Sequence, residues 1–294
     1  MCLLVIGVSC ILLSKCFKTR ARVIKKYKAL HHKEDPVNKI WLYWENKDGN
    51  KKPVYISLCH KSVIRHCSKD FEIVILSPSN LYLVFPLMRR DLDHLSIPQK
   101  ADYIRLYALS REGGIWLDSD IIVFKSLNTI LQKLQIYDYV GFGCHHQNCD
   151  SNTSGYGKPA NWVMVSRKNG QLVTKCLSSA DRILDSQLDL SNPKNYHRLG
   201  RELIWKEIQW LRILSPSWKY YHYDSSCIER DSHGKKYTNN RFTSNEEIDL
   251  TCDFYFIPLY NTAPGFPNWF LNMDEKNLLR SDLLVSKFFR KALL

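Results

Sequence analysis

The sequence lacks a hydrophobic run long enough to cross a membrane comfortably. The apolar stretch at the N-terminus, Cys2 to Leu13, has twelve residues. A helix of that length spans about 18 Å, whereas the hydrocarbon core of a bilayer needs about 30 Å, or about 20 residues. Extension to Phe17, with flanking lysines reaching the lipid interface, brings the segment closer to spanning. No small-residue cleavage site follows, so we expect residues 1–17 to be a short anchor; a signal peptide or an interfacial helix is the alternative.

Internal repeats, low-complexity tracts and the signatures of DNA- or RNA-binding modules are also absent. Acidic residues are missing from the first 33 positions, which carry eight lysines and arginines. Removing those eight charges from the net charge of +13 leaves +5 for the other 261 residues. The basic excess therefore indicates a stem beside a membrane, residues 18–37, and nucleic acid is not an expected partner.

The compartment stays open. Positive charges follow the apolar run, which places the large domain in the cytoplasm by the positive-inside rule, whereas a Golgi-type anchor would place it in the lumen. Three of the ten cysteines lie in the anchor region, and the remaining seven cannot all pair internally. The segment 144–157 holds a formal glycosylation sequon at Asn152. The same segment holds Cys144, His145, His146 and Cys149, a weak zinc alternative without a second ligand pair.

What is present is a globular composition, 45% hydrophobic and 12% aromatic, in which strands alternate with helices. Apolar runs predict strands at 38–44, 71–76, 115–117, 121–124, 139–142, 161–166 and 254–259. Helical spacing predicts helices at 54–66, 98–112, 127–134, 171–188 and 199–214, and the stretch 215–251 reads as polar and irregular. This order predicts an α/β domain over 38–294 with a mostly parallel central sheet.

The stretch GGIWLDSD, residues 113–120, ends a buried strand on two aspartates. In an extended chain Asp118 and Asp120 face the same way, and neighbouring carboxylates raise each other's pKa unless a cation lies beside them. Mg²⁺ or Mn²⁺ prefers oxygen ligands and completes its shell with water and substrate phosphates. We therefore predict a divalent cation held by Asp118 and Asp120, and a diphosphate substrate. The alternative is a solvated turn in which both aspartates cap backbone amides.

The helix before this strand carries Asp102 and Arg105, which are three residues apart and share a face. They form either a surface ion pair of about 0–1 kcal/mol or a functional pair. In the functional reading, Arg105 contacts a phosphate and Asp102 accepts hydrogen bonds from sugar hydroxyls.

These residues carry a resemblance to a known family. PQKADYIRLYALSREGGIWLDSDIIVFKSLN (98–128) resembles the sugar-binding DXD region of glycosyltransferases of the capsular polysaccharide synthesis type. Yeast initiation-specific mannosyltransferases and glycosphingolipid α-1,4-galactosyltransferases share this region, as do the clostridial glucosylating toxins more distantly. NKIWLYWENK (38–47) is similar to the opening strand of that family, and LLRSDLLVSKFFRKALL (278–294) to the end of its capsular-synthesis members.

The resemblance implies a GT-A (Rossmann-like) fold, a UDP- or GDP-sugar donor, Mn²⁺ or Mg²⁺, and retention of anomeric configuration. By position, Asp118 and Asp120 would bind the metal, with Asp118 also near the ribose or sugar. Asp102, Arg105 and Asn161 would hold the donor sugar, and Trp44 would stack near the nucleobase. A late histidine or Ser-Trp motif of many relatives has only Asn261 and Asn268-Trp269 as counterparts here.

The expected reaction is transfer of a hexose to a hydroxyl of a glycan, glycolipid or glycoprotein, with Asp102, Arg105 and Asp118 as the catalytic residues. No carboxylate is indicated as a covalent nucleophile, so front-face substitution is favoured. Two alternatives remain: a non-catalytic relative that binds glycan or nucleotide sugar, and a basic protein of the membrane surface.

Overall fold

The computed structural model describes residues 38–47, 50–143, 158–186, 188–224, 242, 245, 255–261 and 266–294. The predicted anchor and stem (1–17 and 18–37) lie outside the described residues, as do the cysteine–histidine segment and the sequon within 144–157. No helix in the described ranges is both long and apolar enough to span a bilayer.

The described strands are β1 (Lys39–Tyr43), β2 (Glu72–Leu76), β3 (Gly114–Leu117), β4 (Ile121–Val123), β5 (Tyr139–Gly143), β6 (Ala160–Ser166), β7 (Tyr220–Asp224) and β8 (Phe256–Pro258). The described helices are α1 (Val54–Cys67), α2 (Leu81–Val84), α3 (Ile97–Glu112), α4 (Asn128–Gln132), α5 (Gln171–Leu184), α6 (Arg201–Leu214), α7 (Asn268–Leu271), α8 (Glu275–Arg280) and α9 (Leu284–Leu293). Two 3₁₀ turns, Lys133–Gln135 and Pro193–Asn195, follow α4 and α5.

Six strands form one central sheet in the order β2-β1-β3-β6-β5-β7. The pairs β1–β2, β1–β3 and β5–β7 are parallel, and β6 runs antiparallel to both of its neighbours. The predicted α/β domain with a mostly parallel sheet is therefore confirmed. Because β6 is reversed, it begins at the edge of the sheet where β1 and β3 end. We call this the Asp118 edge.

Helices cover both faces of the sheet, because successive strand residues point to opposite sides. Ile40 and Leu42 of β1 enter a core built with α1 and α9. Trp41 and Tyr43 enter a second core built with α3, α5 and α6. Burial on both faces explains why the strands read as continuous apolar runs rather than as alternating ones.

Two glycines join α3 to β3 in a way that other residues cannot. Gly113 and Gly114 have φ angles of +71° and +99°. A Cβ on Gly114 would lie 2.3 Å from the Lys39 carbonyl oxygen, and one on Gly113 would lie 2.4 Å from the Lys168 nitrogen. Glycine tolerates both the positive φ and the close backbone approach. The pair thus sets β3 directly beside β1.

Two predicted elements differ in the structure. The strand at Ile121–Val123 does not continue the central sheet but pairs antiparallel with β8 in a separate two-stranded sheet. The stretch 215–251 is not irregular throughout, because Tyr220–Asp224 forms β7 on the edge of the main sheet. Both strands depend on partners distant in sequence, which a local pattern does not reveal.

Candidate active site

The candidate site lies at the Asp118 edge, where three strands meet. Asp118 directly follows β3, and its backbone N–H donates to the carbonyl of Trp162 in β6 at 2.9 Å. The Ser119 hydroxyl donates to the Tyr43 carbonyl at the end of β1, at 2.7 Å. These bonds fix the turn 118–120 between neighbouring strands.

Arg105 is the centre of the site. Its Nη2 lies 3.1 Å from Asp102 Oδ1 and 3.2 Å from Asp118 Oδ1. Its Nη1 donates to the backbone carbonyl of Asn161. The guanidinium lies over the ring of Trp116, with Cζ 5.2 Å from the ring centroid. Only 5% of the Arg105 side chain is exposed, so the structure excludes the surface ion pair and shows a buried one.

Asp102 is held from three sides. Besides the contact with Arg105, its Oδ1 accepts a hydrogen bond from Asn161 Nδ2 at 2.7 Å. Gly200, just before α6, lies so close that a Cβ there would be 2.5 Å from Asp102 Oδ2. Burial raises the pKa of the Asp102 carboxyl from its ordinary 3.8 to about 6, against the opposing charge of Arg105. Asp102 therefore changes protonation near neutral pH.

Asp118 combines a fixed oxygen with an accessible one. Its Oδ1 accepts a hydrogen bond from Trp116 Nε1 at 2.9 Å in addition to the Arg105 contact. Within the described part of the chain, Oδ2 accepts no hydrogen bond, and 31% of the side chain is exposed. Burial raises the pKa of the carboxyl, while Arg105 and then the Trp116 hydrogen bond oppose the rise. The expected repulsion from Asp120 is not among the causes.

Asp120 is buried and belongs to a turn, so the prediction that 118–120 form an extended strand is wrong. Its Oδ2 accepts a hydrogen bond from the Asn261 backbone N–H at 2.8 Å. Its charge contributes, after burial, to the raised pKa values of Tyr55 and Cys59 on α1. Asp118 thus interacts with α3, and Asp120 with α1 and the segment after β8.

The half-buried Trp44 follows β1 at the same edge. Its backbone N–H donates to the Leu76 carbonyl at 3.0 Å, and its indole Nε1 donates to Asn46 Oδ1 at 2.6 Å. The structure thus brings Asp102, Arg105, Asp118 and Asn161 into one hydrogen-bonded cluster. It places Trp44 and Asp120 at the same edge, outside that cluster.

No three His, Cys, Asp or Glu side chains group together as metal ligands among the described residues. A cation at this edge would therefore take most of its ligands from water or a substrate, as Mg²⁺ commonly does. The accessible Asp118 Oδ2 and the neighbouring Asp120 offer the hard oxygen ligands that such an ion prefers.

Sequence reasoning missed two residues of the site. Trp116 positions both Asp118 and Arg105, and its spacing from Asp118 was a usable signal, because residues two apart in a strand share a face. Gly200 closes the site around Asp102, and no signal in the sequence connects positions 98 residues apart.

The sequence was compared with known families and proteins. A family model described as capsular polysaccharide synthesis protein matches residues 11–181, more than half of the chain. The chain belongs to this family. The matched range includes Trp44, Asp102, Arg105, Asn161 and both aspartates of the turn. The expected enzyme class, a glycosyltransferase, is thereby confirmed. A comparison with curated protein sequences gives no significant match.

Solved glycosyltransferase structures resemble this member of the capsular polysaccharide synthesis family at low identity. The PaToxG glycosyltransferase is 16% identical over 68% of this chain and 81% of its own, with a TM-score of 0.40. GlyE of Streptococcus pneumoniae TIGR4 is 13% identical over 65% and 46%, with a TM-score of 0.38. The galactosyltransferase LgtC, crystallised with donor and acceptor sugar analogs, is 15% identical over 64% and 74%, with a TM-score of 0.35. These values carry no information about substrate.

Proposed function

We propose that this protein is a metal-dependent, retaining hexosyltransferase with a GT-A fold. It moves a sugar from a UDP- or GDP-sugar to a hydroxyl of a glycan, glycolipid or glycoprotein. One observation carries the proposal: Asp102, Arg105, Asp118 and Asn161, four positions matching the family motif, form one buried cluster that opens at Asp118.

The cluster suits recognition of a donor sugar. Asp102 and Asn161 are held in place by each other and by Arg105, so their remaining hydrogen-bonding capacity is oriented before the donor arrives. Preorganised polar groups of this kind stabilise a transition state more than mobile ones do. Arg105, tied to two carboxylates, acts by holding Asp102 and Asp118 and by balancing their charge. Trp44 stacks against the nucleobase at the end of β1.

Asp118 and Asp120 are the proposed metal residues. The Asp118 carboxyl is desolvated, with a raised pKa and an oxygen left for a ligand, so a divalent cation would favour its ionised form. When bound, Mn²⁺ or Mg²⁺ supplies Lewis-acid stabilisation of the departing diphosphate. Asp120, fixed by the Asn261 backbone N–H, keeps its carboxylate at the turn.

Retention is proposed on the family resemblance. In a front-face substitution the acceptor oxygen attacks the anomeric carbon on the side that the diphosphate leaves, and the leaving phosphate takes the acceptor proton. NMR of the first-formed anomer tests this part, and an inverted product would contradict it.

The central experiment is a screen of UDP- and GDP-sugars for Mn²⁺-dependent release of nucleotide. We expect release from at least one donor, and a loss of about 100-fold or more in Asp118→Asn and Asp120→Asn, since removing a group that stabilises transition-state charge commonly costs that much. Asp282→Asn, at an exposed position in the segment between α8 and α9, is the matched control and should match the parent. Metal-independent release, or full activity in both site variants, would overturn the proposal.

Membrane association through residues 1–17 is also part of the proposal, on the strength of their apolar sequence and the basic stem. Replacing Leu3, Leu4 and Ile6 by serine should move the full-length protein from the membrane to the supernatant fraction. Protease protection in sealed vesicles distinguishes a lumenal domain from a cytoplasmic one.

A further inference from the structure

A second concave site lies beside β7, away from the Asp102–Arg105 cluster. It is a groove of about 370 Å³ between the edge strand and the α4 region. We call it the tyrosine groove; its lining includes Tyr221, Tyr223, Tyr255, Thr129, Gln132 and Lys133. The proposed donor chemistry uses none of these residues.

The groove has an aromatic wall. Tyr221 and Tyr223 are two apart on β7 and point to the same face, and their ring centroids are 4.7 Å apart. Tyr255 continues the wall 6.2 Å from Tyr223. The Thr129 and Tyr255 hydroxyls lie 2.8 Å apart. The three rings are half-buried, so they offer flat apolar surface with polar tips, a combination suited to sugar rings.

The charge of the groove is one-sided. Lys133 Nζ lies 4.9 Å from the centroid of the Tyr221 ring, and Lys125 Nζ lies 4.2 Å from that of Tyr255. None of the described lining residues is an aspartate or a glutamate. Two cations beside aromatic faces, without a lining carboxylate, favour an anionic ligand.

The groove is continuous with the Asp118 edge. β7 runs parallel to β5, and its last residue, Asp224, pairs with Gly143 at that edge. Tyr223 stacks on Phe142 with the rings 4.8 Å apart and 6° from parallel, and Phe142 lies 5.9 Å from Trp162. Trp162 directly follows Asn161 of the donor cluster. A chain bound along the tyrosines therefore runs toward the reacting end of the site.

We propose that the tyrosine groove binds the acceptor, an oligosaccharide chain that carries carboxylate or phosphate groups. This inference rests on the proposed function, because it assigns the second substrate of the same reaction. Sugar rings stack on Tyr221 and Tyr223, and Gln132 and Thr129 supply hydrogen bonds to hydroxyls. Lys133 pairs with the anionic group. The volume accommodates one or two sugar residues, within the range of about 300–1,000 Å³ usual for ligand sites.

Binding is tested without donor on the full-length protein, using two octasaccharides as probes. One is a hyaluronan fragment, which carries uronic acids, and the other is a neutral maltooligosaccharide. Saturation-transfer NMR and calorimetry should show tighter binding of the hyaluronan fragment. Tyr221→Ser should weaken both probes about tenfold or more, and Lys133→Gln should weaken only the acidic probe. Lys175→Gln, an exposed lysine on α5, is the matched control.

Several outcomes would overturn the inference. These are no binding of either probe, equal binding to the parent and both groove variants, and equal loss in Lys175→Gln. Because Tyr221→Ser changes an edge strand, Tyr221→Phe and a thermal melt accompany it; the phenylalanine variant keeps the stacking face and should retain most binding.

Donor turnover separates this inference from the proposed function. Hydrolysis of the nucleotide sugar without acceptor should be unchanged in Tyr221→Ser and Lys133→Gln. If the parent releases no nucleotide but still binds the octasaccharides through the groove, the catalytic proposal fails and the glycan site stands. If nucleotide release is normal and groove variants do not alter acceptor binding, the acceptor lies elsewhere.

Discussion

At the scale of single residues, the Asp118 carboxylate depends on a tryptophan that does not touch solvent. Trp116 is buried, yet its indole N–H is one of the two groups that favour ionised Asp118. Its ring also supports the Arg105 guanidinium. A strand residue on the core face thus orients a carboxylate at the surface.

Trp116→Phe keeps a ring under Arg105 and removes only the hydrogen bond to Asp118. A hydrogen bond to a charged group contributes about 1.5–3 kcal/mol, so we expect kcat/KM to fall about tenfold or more. The acidic limb of the pH–rate profile should move to higher pH, because the lost bond lowers the pKa of Asp118. Trp218→Phe is the control, since the buried Trp218 Nε1 has no hydrogen-bond partner in the described structure. An unchanged pH profile in Trp116→Phe would contradict the assigned role.

Asp102 predicts opposite pH trends for stability and for donor binding. Its pKa is raised from 3.8 to about 6, so between those values the folded state binds more protons than the unfolded state. The free energy of unfolding should therefore fall as pH rises through about 4 to 6. Donor affinity should rise over the same interval, because the ionised carboxylate accepts hydrogen bonds from sugar hydroxyls.

Asp102→Asn should flatten both trends, and urea unfolding and donor titration across pH measure them. A stability curve with the same slope in the variant would show that other groups cause the pH dependence.

At the scale of elements, two glycines separate folding from site geometry. Gly114→Ala introduces a Cβ at positive φ against the Lys39 carbonyl, so it should destabilise the domain by about 3 kcal/mol or more. Gly200 has a φ of −104°, and its added Cβ would meet Asp102 Oδ2 and Asn161 Nδ2. Gly200→Ala should cost less stability and more donor affinity. Comparable melting temperatures for the two variants would contradict this division.

The elements also show what the sequence predicts and what it does not. Apolar runs identified β1, β2, β5 and β6 because both faces of those strands are buried. β7 was missed because Tyr-Tyr-His-Tyr-Asp contains no aliphatic residue and forms a strand only beside β5. β4 was joined to the wrong sheet because Ile122 pairs with Ile257, far along the chain.

The site divides in the same way. Asp102, Arg105, Asp118 and Asn161 were predicted from a family motif, and the structure brings them together. The support from Gly200, and that of Asn261 for Asp120, depends on contacts between distant segments. The geometry of the turn at Asp118–Asp120 depends on bonds to β1 and β6, which no spacing rule contains.

At the scale of the whole molecule, the C-terminal helix completes a core that begins with α1. Val285, Phe288 and Phe289 are buried in α9, and His66 of α1 bonds the Ala292 carbonyl at 2.8 Å. Burying each such side chain contributes about 1.5–3 kcal/mol, and domains have net stabilities of only about 5–15 kcal/mol. The last helix is therefore essential to the fold although it is far from Asp118.

Deleting residues 284–294 should leave a protein that does not fold cooperatively in urea titrations. Removal of Leu294 alone, whose side chain is 84% exposed, should change the midpoint little. A cooperative transition near the parental midpoint in the longer deletion would contradict the account of this core.

The reversed strand β6 has an evolutionary consequence. The chain departs from the sheet at Gly143 and returns at Lys158, and a Cβ on Gly143 would lie 2.3 Å from the Lys158 carbonyl oxygen. Since the two ends already touch, doubling the number of intervening residues costs only about 0.6 kcal/mol in closure entropy. Lineages can lengthen, shorten or exchange this insert beside the reaction centre and keep the scaffold, so new sugar preferences can arise without inventing a new fold.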